Sequence, residues 1–365
     1  MELSMCNQTI FYQKPPDICI SNDMKLTYTN IITISVYSVL FVLSSIFNLT
    51  ILILLKNTKY KEHFRIHKYM FNLIIADLII TFITIPLEIC WKMTVYWQAG
   101  DLACRLLQFL RPLGIYLASF IIISLCIDRY YAIVHPLKIE NSEKRTRFLI
   151  KLSWILSIVC AIPQVFVFSL KTHPKHKWYT QCLDFNFELN QNSHPFYKIT
   201  FLIYQIFVST ITFFLPLIVI VITYGCILTE IIGKLKKNKK KDNINSMLLL
   251  SHNRKDKIIK AKRKTLKLAI TIVIVFLVCW TPYYFISGLF WLDPTMANKI
   301  DDKIYNFLFI FAVSNCLANP LVYGMTTSNI KKNRKQYDRA GLTISFEFRT
   351  RSRMASQMTT YRSVI

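Results

Sequence analysis

Glycine is scarce in this chain, with seven among 365 residues, and there are only 12 prolines. That excludes a collagen-like repeat and a Gly/Pro-rich low-complexity chain. Charge is thin: Asp, Glu, Lys and Arg make up 18%, against about 25% in soluble domains. Acid is scarcer still, with 20 Asp and Glu against 45 Lys and Arg, for a formal net charge of +25. In a soluble protein such an imbalance points to nucleic acid. No nucleic-acid-binding fold surrounds the basic blocks here, so that partner is set aside. Residues 1–17 show neither a basic n-region nor a continuous apolar h-region, so the first apolar run is expected to direct its own insertion. Short alternating segments of the kind that build a barrel are missing, and so is any internal repeat.

What the chain does have is long apolar runs. Hydrophobic residues make up 53% and the mean hydropathy is +0.36. Seven runs, at about 31–55, 69–92, 104–129, 148–170, 199–228, 266–290 and 304–326, carry few or no charges. Each is long enough for the ~20 residues a helix needs to cross a ~30 Å hydrocarbon core. In lipid a segment must satisfy its own backbone polar groups, so these runs predict helices. The expected fold is an all-α membrane protein, a seven-helix bundle over 31–326. An N-terminal tail over 1–30 precedes it. Residues 327–339, with Ile330 and Tyr337 among Lys and Arg, suit a short amphipathic helix in the interface. The polar remainder, 340–365, predicts a disordered tail. No cysteine follows span 7 to be palmitoylated.

Seven spans put the two ends on opposite sides. Most of the 45 Lys and Arg fall in the loops 56–68, 129–151 and 234–267 and in the tail from 327. The positive-inside rule makes that side cytoplasmic and the N-terminus extracellular. Asn7-Gln8-Thr9 is then a glycosylation sequon on the outer tail. Cys104 and Cys182 both fall on the outer side, where disulfides form, and Cys6 with Cys19 is a candidate second pair. Residues 234–264 hold thirteen Lys or Arg. Topology and attraction to anionic lipid account for them, with an acidic cytosolic partner as an additional reading. The terminal Ser363-Val364-Ile365 would fit a PDZ-type groove, but three residues are a weak signal.

Ionisable residues at membrane depth are costly and mark function. Asp77 lies mid-span 2, and Glu88 is eleven residues, about 16 Å, further out. Lys92 follows one turn later and can snorkel to the surface. Arg111 sits in the outer part of span 3. A Glu88–Arg111 pair has two readings: a helix–helix salt bridge, or a polar floor for an extracellular ligand.

These residues carry a resemblance. Asp128-Arg129-Tyr130, Cys279-Trp280-Thr281-Pro282 and Asn319-Pro320-Leu321-Val322-Tyr323 resemble the DRY, CWxP and NPxxY motifs of rhodopsin-like (class A) G-protein-coupled receptors. Asn48, the run Leu73-Ile74-Ile75-Ala76-Asp77, Trp154 and Pro216 match the marker residues of the other four spans. The match covers 31–337. Within the class, Pro86-Leu87-Glu88, Trp97-Gln98-Ala99-Gly100-Asp101, Arg111, Gly114 to Phe120, Tyr283-Tyr284 and Trp291-Leu292-Asp293-Pro294 resemble the gonadotropin-releasing hormone, adipokinetic hormone and corazonin receptor group. Thr180-Gln181-Cys182 with Phe185-Asn186-Phe187 is most like the invertebrate adipokinetic branch.

The resemblance implies a plasma-membrane receptor for a small peptide hormone, adipokinetic-like, acting through heterotrimeric G proteins of the Gq or Gs type. Corazonin-, gonadotropin-releasing-hormone- or vasopressin-like peptides are the alternatives. Receptor kinases and arrestin are implied partners. Expected ligand contacts are Glu88, Gln108, Arg111, Tyr204, Tyr283, Tyr284 and Phe309, with Asp293, Asp301 and Asp302 either at the rim or simply solvated. The activation switch would use Asp128, Arg129, Tyr130, Tyr224, Phe276, Trp280, Pro282, Asn319, Pro320 and Tyr323. Tyr224 and Tyr323 are expected to meet Arg129 across the bundle. Many relatives carry an acid at the foot of span 6; Lys262 stands here, which predicts a weaker inactive lock. Asn48, Asp77, Asn315 and Asn319 would form a hydrated polar core. Sodium binds there in many relatives, but Ala118 and Cys316 replace hydroxyls that complete such a site.

Other classes fit less well. An opsin needs a Lys in span 7 for its Schiff base, and 304–326 has none. A transporter or channel would show midplane charges and repeats. An enzyme needs a catalytic constellation, and beyond the His173/His176 pair no metal-like cluster stands out, so neither enzyme chemistry nor a cofactor is expected.

Overall fold

The computed structural model describes residues 24–57, 64–135, 142–173, 176–184, 195–241, 249–292 and 302–324. In the last three stretches it describes the side chains of 199–233, 266–289 and 303–324. Asn7, Cys6, Cys19, Lys262, Asp293, Asp301, the side chain of Asp302, the expected helix 327–339, the tail and its final triplet lie outside these. So do the side chains of the basic stretch 234–264.

Among the described residues seven helices are long and apolar enough to cross a membrane. Span 1 is α1 (Tyr28–Asn57). Span 2 joins α2 (Phe64–Ile79) to α3 (Ile85–Thr94) through a π-helical turn, Ile80–Thr84. Span 3 is α4 (Gly100–Val134). Span 4 is α5 (Ser142–Ala161) with α6 (Pro163–Val167). Span 5 joins α7 (Pro195–Ser209) to α8 (Leu215–Lys241) through a second π turn, Thr210–Phe214. Span 6 is α9 (Leu249–Leu292), and span 7 is α10 (Asp302–Val313) followed by α11 at 315–324.

Both π turns end two residues before a proline, Pro86 or Pro216. Proline donates no N–H, and its ring crowds the carbonyl four residues back, so the ladder widens by one residue just ahead of it. Neither turn is visible in the hydropathy pattern.

α4 runs through the middle and packs against α2, α5, α8 and α9. Gly114 makes the tightest of these approaches possible. A Cβ there would stand 2.8 Å from Ile80 Cγ1 and 2.9 Å from the Ala76 carbonyl oxygen.

The apolar run 148–170 predicts helix to its end, and here the expectation fails. The helix stops at Val167, and β1 (Phe168–Thr172) pairs antiparallel with β2 (Thr180–Asp184). Contacts distant in sequence hold this hairpin. The Asp101 carboxylate accepts the Leu170 N–H at 2.8 Å, and Trp97 N–H donates to the Thr180 carbonyl at 2.7 Å. The Cys104–Cys182 disulfide, with Cα atoms 5.6 Å apart, fastens β2 to the start of α4. His173 and His176 stack at the hairpin tip with ring centroids 5.1 Å apart.

Candidate functional site

At the end of the bundle that bears the hairpin, Arg111 of α4 donates to the Glu88 carboxylate of α3. Thr84 Oγ1 donates to the Arg111 carbonyl at 2.8 Å, tying the same two spans together. The other side of the guanidinium lies 5.5 Å from the Phe309 ring centroid, a cation–π contact to span 7. The pair borders a cavity of about 310 Å³ with Trp91, Lys92, Val95 and Gln181. Gln181 is brought there by its neighbour, the disulfide-bonded Cys182. It accepts from Trp91 Nε1 and donates to the Val95 carbonyl, both at 2.6 Å. Val95 holds φ at 63°, a strained value for a β-branched residue, and Gln181 braces it. Lys92 reaches Asn306 at 3.4 Å, so it bridges to span 7 at the cavity wall.

Of the seven expected ligand contacts, Glu88 and Arg111 line this cavity. Phe309, Tyr283 and Tyr305 form an aromatic wall behind Arg111, with the Tyr283 and Tyr305 hydroxyls 2.7 Å apart. Gln108 is buried, and its Nε2 meets no partner within the described residues. Tyr204 stands on span 5, away from the cavity lining. Tyr284 departs most from its expected place. It is buried, its hydroxyl bonds Thr212 of span 5, and its ring stacks on Phe213 at 5.1 Å and Trp280 at 5.7 Å. With Phe276 next to both Phe213 and Trp280, it belongs to the aromatic packing around Pro282. Its position one residue after Tyr283, about 100° around the helix, turns it inward.

Deeper, Asn319 Nδ2 meets both Asp77 carboxylate oxygens, at 3.2 and 3.0 Å. Asn48 shows why an amide belongs in span 1. Pro320 has no N–H to offer the Cys316 carbonyl four residues back, and Asn48 Nδ2 fills that place at 2.9 Å. Ser119 of span 3 does the same for span 5, donating at 3.1 Å to the Thr212 carbonyl that Pro216 leaves open. Ser44 and Thr81 share a 2.7 Å hydrogen bond, and Ser44 reaches Cys316 at 3.4 Å. Sequence reasoning missed this pair, since hydroxyls on apolar helices usually bond their own backbone. The amide oxygens of Asn48, Asn315 and Asn319 are buried without a hydrogen-bond partner among the described residues.

At the opposite end of α4, Asp128 is fully buried and holds Arg129 at 2.5 Å. It also takes Arg65 at 3.3 Å, Thr146 at 3.4 Å and Arg145 at 3.8 Å. Sequence reasoning missed Arg65 and Arg145, which fall among the basic residues of 56–68 and 129–151. The Tyr224 hydroxyl is buried and meets no hydrogen-bond partner within the described residues. Tyr323 packs edge-on against His67, 6.1 Å away at the foot of span 2. Tyr130 lies at the surface against Tyr131 and His135. Trp154 Nε1 donates to Asn72 at 2.9 Å, joining spans 2 and 4.

This arrangement has known counterparts. Residues 47–323 match the 7 transmembrane receptor (rhodopsin family). The chain is 32% identical to the gonadotropin-releasing hormone receptor of Bos mutus grunniens, over 82% of this chain and 90% of that one. It is 33% identical to the gonadotropin-releasing hormone II receptor of Clarias gariepinus, over 80% of this chain and 75% of that one. The Homo sapiens gonadotropin-releasing hormone receptor is 31% identical, over 82% and 90%. These relatives are receptors and not enzymes, in keeping with the chain's motifs. The chain belongs to the rhodopsin family of seven-transmembrane receptors, in the group of the gonadotropin-releasing hormone receptors.

Proposed function

We propose that this chain is a plasma-membrane receptor for a small peptide hormone of the adipokinetic type and activates heterotrimeric G proteins, Gq or Gs. The Glu88–Arg111 pair carries the reading. An ion pair that only joins helices gains little over apolar packing. This one borders a cavity, beside a wall of Tyr283 and Phe309. Its donors and the aromatic faces suit a peptide with blocked ends and aromatic side chains. Gln108 supplies a spare amide donor one turn from Arg111, and Tyr204 extends the site towards span 5.

Signal transfer then follows from packing. A ligand that draws on Arg111 shifts Phe309 and Tyr283. Tyr283 adjoins Tyr284 and Trp280, which stack towards Phe213 and Phe276. Pro282 weakens the α9 ladder there, so repacked aromatics swing the helix. That opens the inner end, and Arg129 leaves Asp128 to meet the G protein. The hairpin end faces outside, with Asn7 glycosylated and the basic side in the cytoplasm, where arrestin, receptor kinases and anionic lipid at 234–264 act. The core around Asp77 holds water. Asp77 is already bonded to Asn319, Ala118 offers no oxygen and Cys316 is soft, so the donors do not fit sodium.

The relatives' own names favour a second reading, a gonadotropin-releasing-hormone-type ligand. Calcium and cyclic-AMP dose–responses in cells expressing the chain separate the two. Response at nanomolar adipokinetic peptide, with gonadotropin-releasing and corazonin peptides inactive, supports the first. Preference for another peptide overturns it and keeps the receptor.

A further inference from the structure

Span 4 carries a pattern that peptide recognition does not use. Lys144, Arg147, Phe148, Lys151, Ile155 and Ile158 of α5 are all exposed. At 100° per residue they fall on one outward arc of about 100°. The inner side of α5 faces α4 and α2; no described element covers the outer one. The foot of this face is basic and its continuation apolar. Lys151 lies nine residues from Ser142, about 13 Å along the axis, so its ammonium must reach back to find polar surroundings.

The charged neighbours on the same turns have partners. Glu143 pairs with Lys68 at 3.1 Å, and Arg145 approaches Asp128 at 3.8 Å and the Tyr131 ring at 4.4 Å. Lys144, Arg147 and Lys151 form no ion pair within the described residues; Glu143, one turn before Arg147, acts on it only at longer range and bonds Lys68. Lys144 also stands in the first turn of the helix, the end whose dipole repels cations. Three cations on one face turned to lipid, the first of them against that field, suit an external anion.

We infer that Lys144, Arg147 and Lys151 bind the phosphate headgroup of an anionic phospholipid, whose acyl chains lie along Phe148, Ile155 and Ile158. The apolar track separates this site from the stretch 234–264, which offers charge alone to any anionic surface. The inference rests on the seven-span membrane fold and stands whatever the peptide ligand is.

Native mass spectrometry of the purified full-length receptor with phosphatidylserine and phosphatidylcholine tests it. Retained phosphatidylserine is expected to fall about fivefold for each cation neutralised in the series Lys144→Gln, Arg147→Gln and Lys151→Gln. The charge-preserving set Lys144→Arg, Arg147→Lys and Lys151→Arg is expected to keep it. Glycerophosphoserine, which lacks the chains, should not displace it. Four results overturn the inference: unchanged retention in the Gln series, equal loss in the charge-preserving set, equal loss with Lys236→Gln, Lys237→Gln and Lys239→Gln, or displacement by glycerophosphoserine.

Discussion

Arg65 and Arg129 share one carboxylate: Arg65 Nη1 stands 3.3 Å from Asp128 Oδ1, and Arg129 Nη2 2.5 Å from Asp128 Oδ2. A buried acid divided between guanidiniums holds each less firmly than it would hold one. Removing Arg65 should therefore tighten the hold on Arg129. Arg65→Gln is expected to lower ligand-free signalling about fivefold, the equivalent of ~1 kcal/mol for a partly exposed pair. Inositol phosphate accumulation at matched surface expression reads this. A rise would mean that Arg65 orients Asp128 instead of competing for it.

The Glu88–Arg111 pair makes a different prediction. Arg111→Ala leaves Glu88 without its cation, at ~2 kcal/mol once partial solvation is allowed for. Peptide potency should fall about thirtyfold. In the exchange Glu88→Arg with Arg111→Glu, the pair is rebuilt with its donors and acceptor reversed. Surface expression should recover while potency stays low; recovery of both would reduce the pair to a helix fastener.

Gly114 offers a test of packing alone. Gly114→Ala puts a methyl group against Ile80 and the Ala76 carbonyl, where overpacking costs ~1–3 kcal/mol. The melting temperature of the detergent-purified receptor should drop by several degrees. Gly225→Ala, where no atom lies within 4 Å of the added Cβ, should leave it unchanged or slightly raised.

The Asn48–Pro320 relationship predicts coupling. Asn48→Leu strips the Cys316 carbonyl of its donor and should cost ~1–3 kcal/mol. Pro320→Ala restores a backbone N–H able to serve that carbonyl. The double variant should then be more stable than the sum of the single losses predicts, by ~1 kcal/mol in a thermal-shift cycle. Strict additivity would show that the carbonyl gains nothing from the new N–H.

Much of this architecture is legible in the sequence because lipid enforces it. Apolar runs near 20 residues have one backbone solution, and charges such as Glu88 and Arg111 stand out against them. Within-motif neighbours such as Asp128 and Arg129 are equally plain. Side-chain direction was harder to read. Tyr283 and Tyr284 look alike as a pair, yet one joins the wall behind Arg111 and the other seals the core against Phe213 and Thr212. The hairpin 168–184 was hidden, since Phe168-Ser169-Leu170 continues an apolar run and its strand state depends on Asp101 and Trp97 far earlier in the chain.

The sequence by itself determined the spans, the placement of prolines and polar residues along them, and the cysteines available for a disulfide. Those follow from composition and local backbone chemistry, which need no partner. Only the tertiary structure decided which carbonyl each proline exposes to which donor, how many guanidiniums Asp128 serves, and which residues border the cavity with Arg111. These are relations between helices. They depend on the rotation of each helix about its axis, and close packing around residues such as Gly114 sets that rotation.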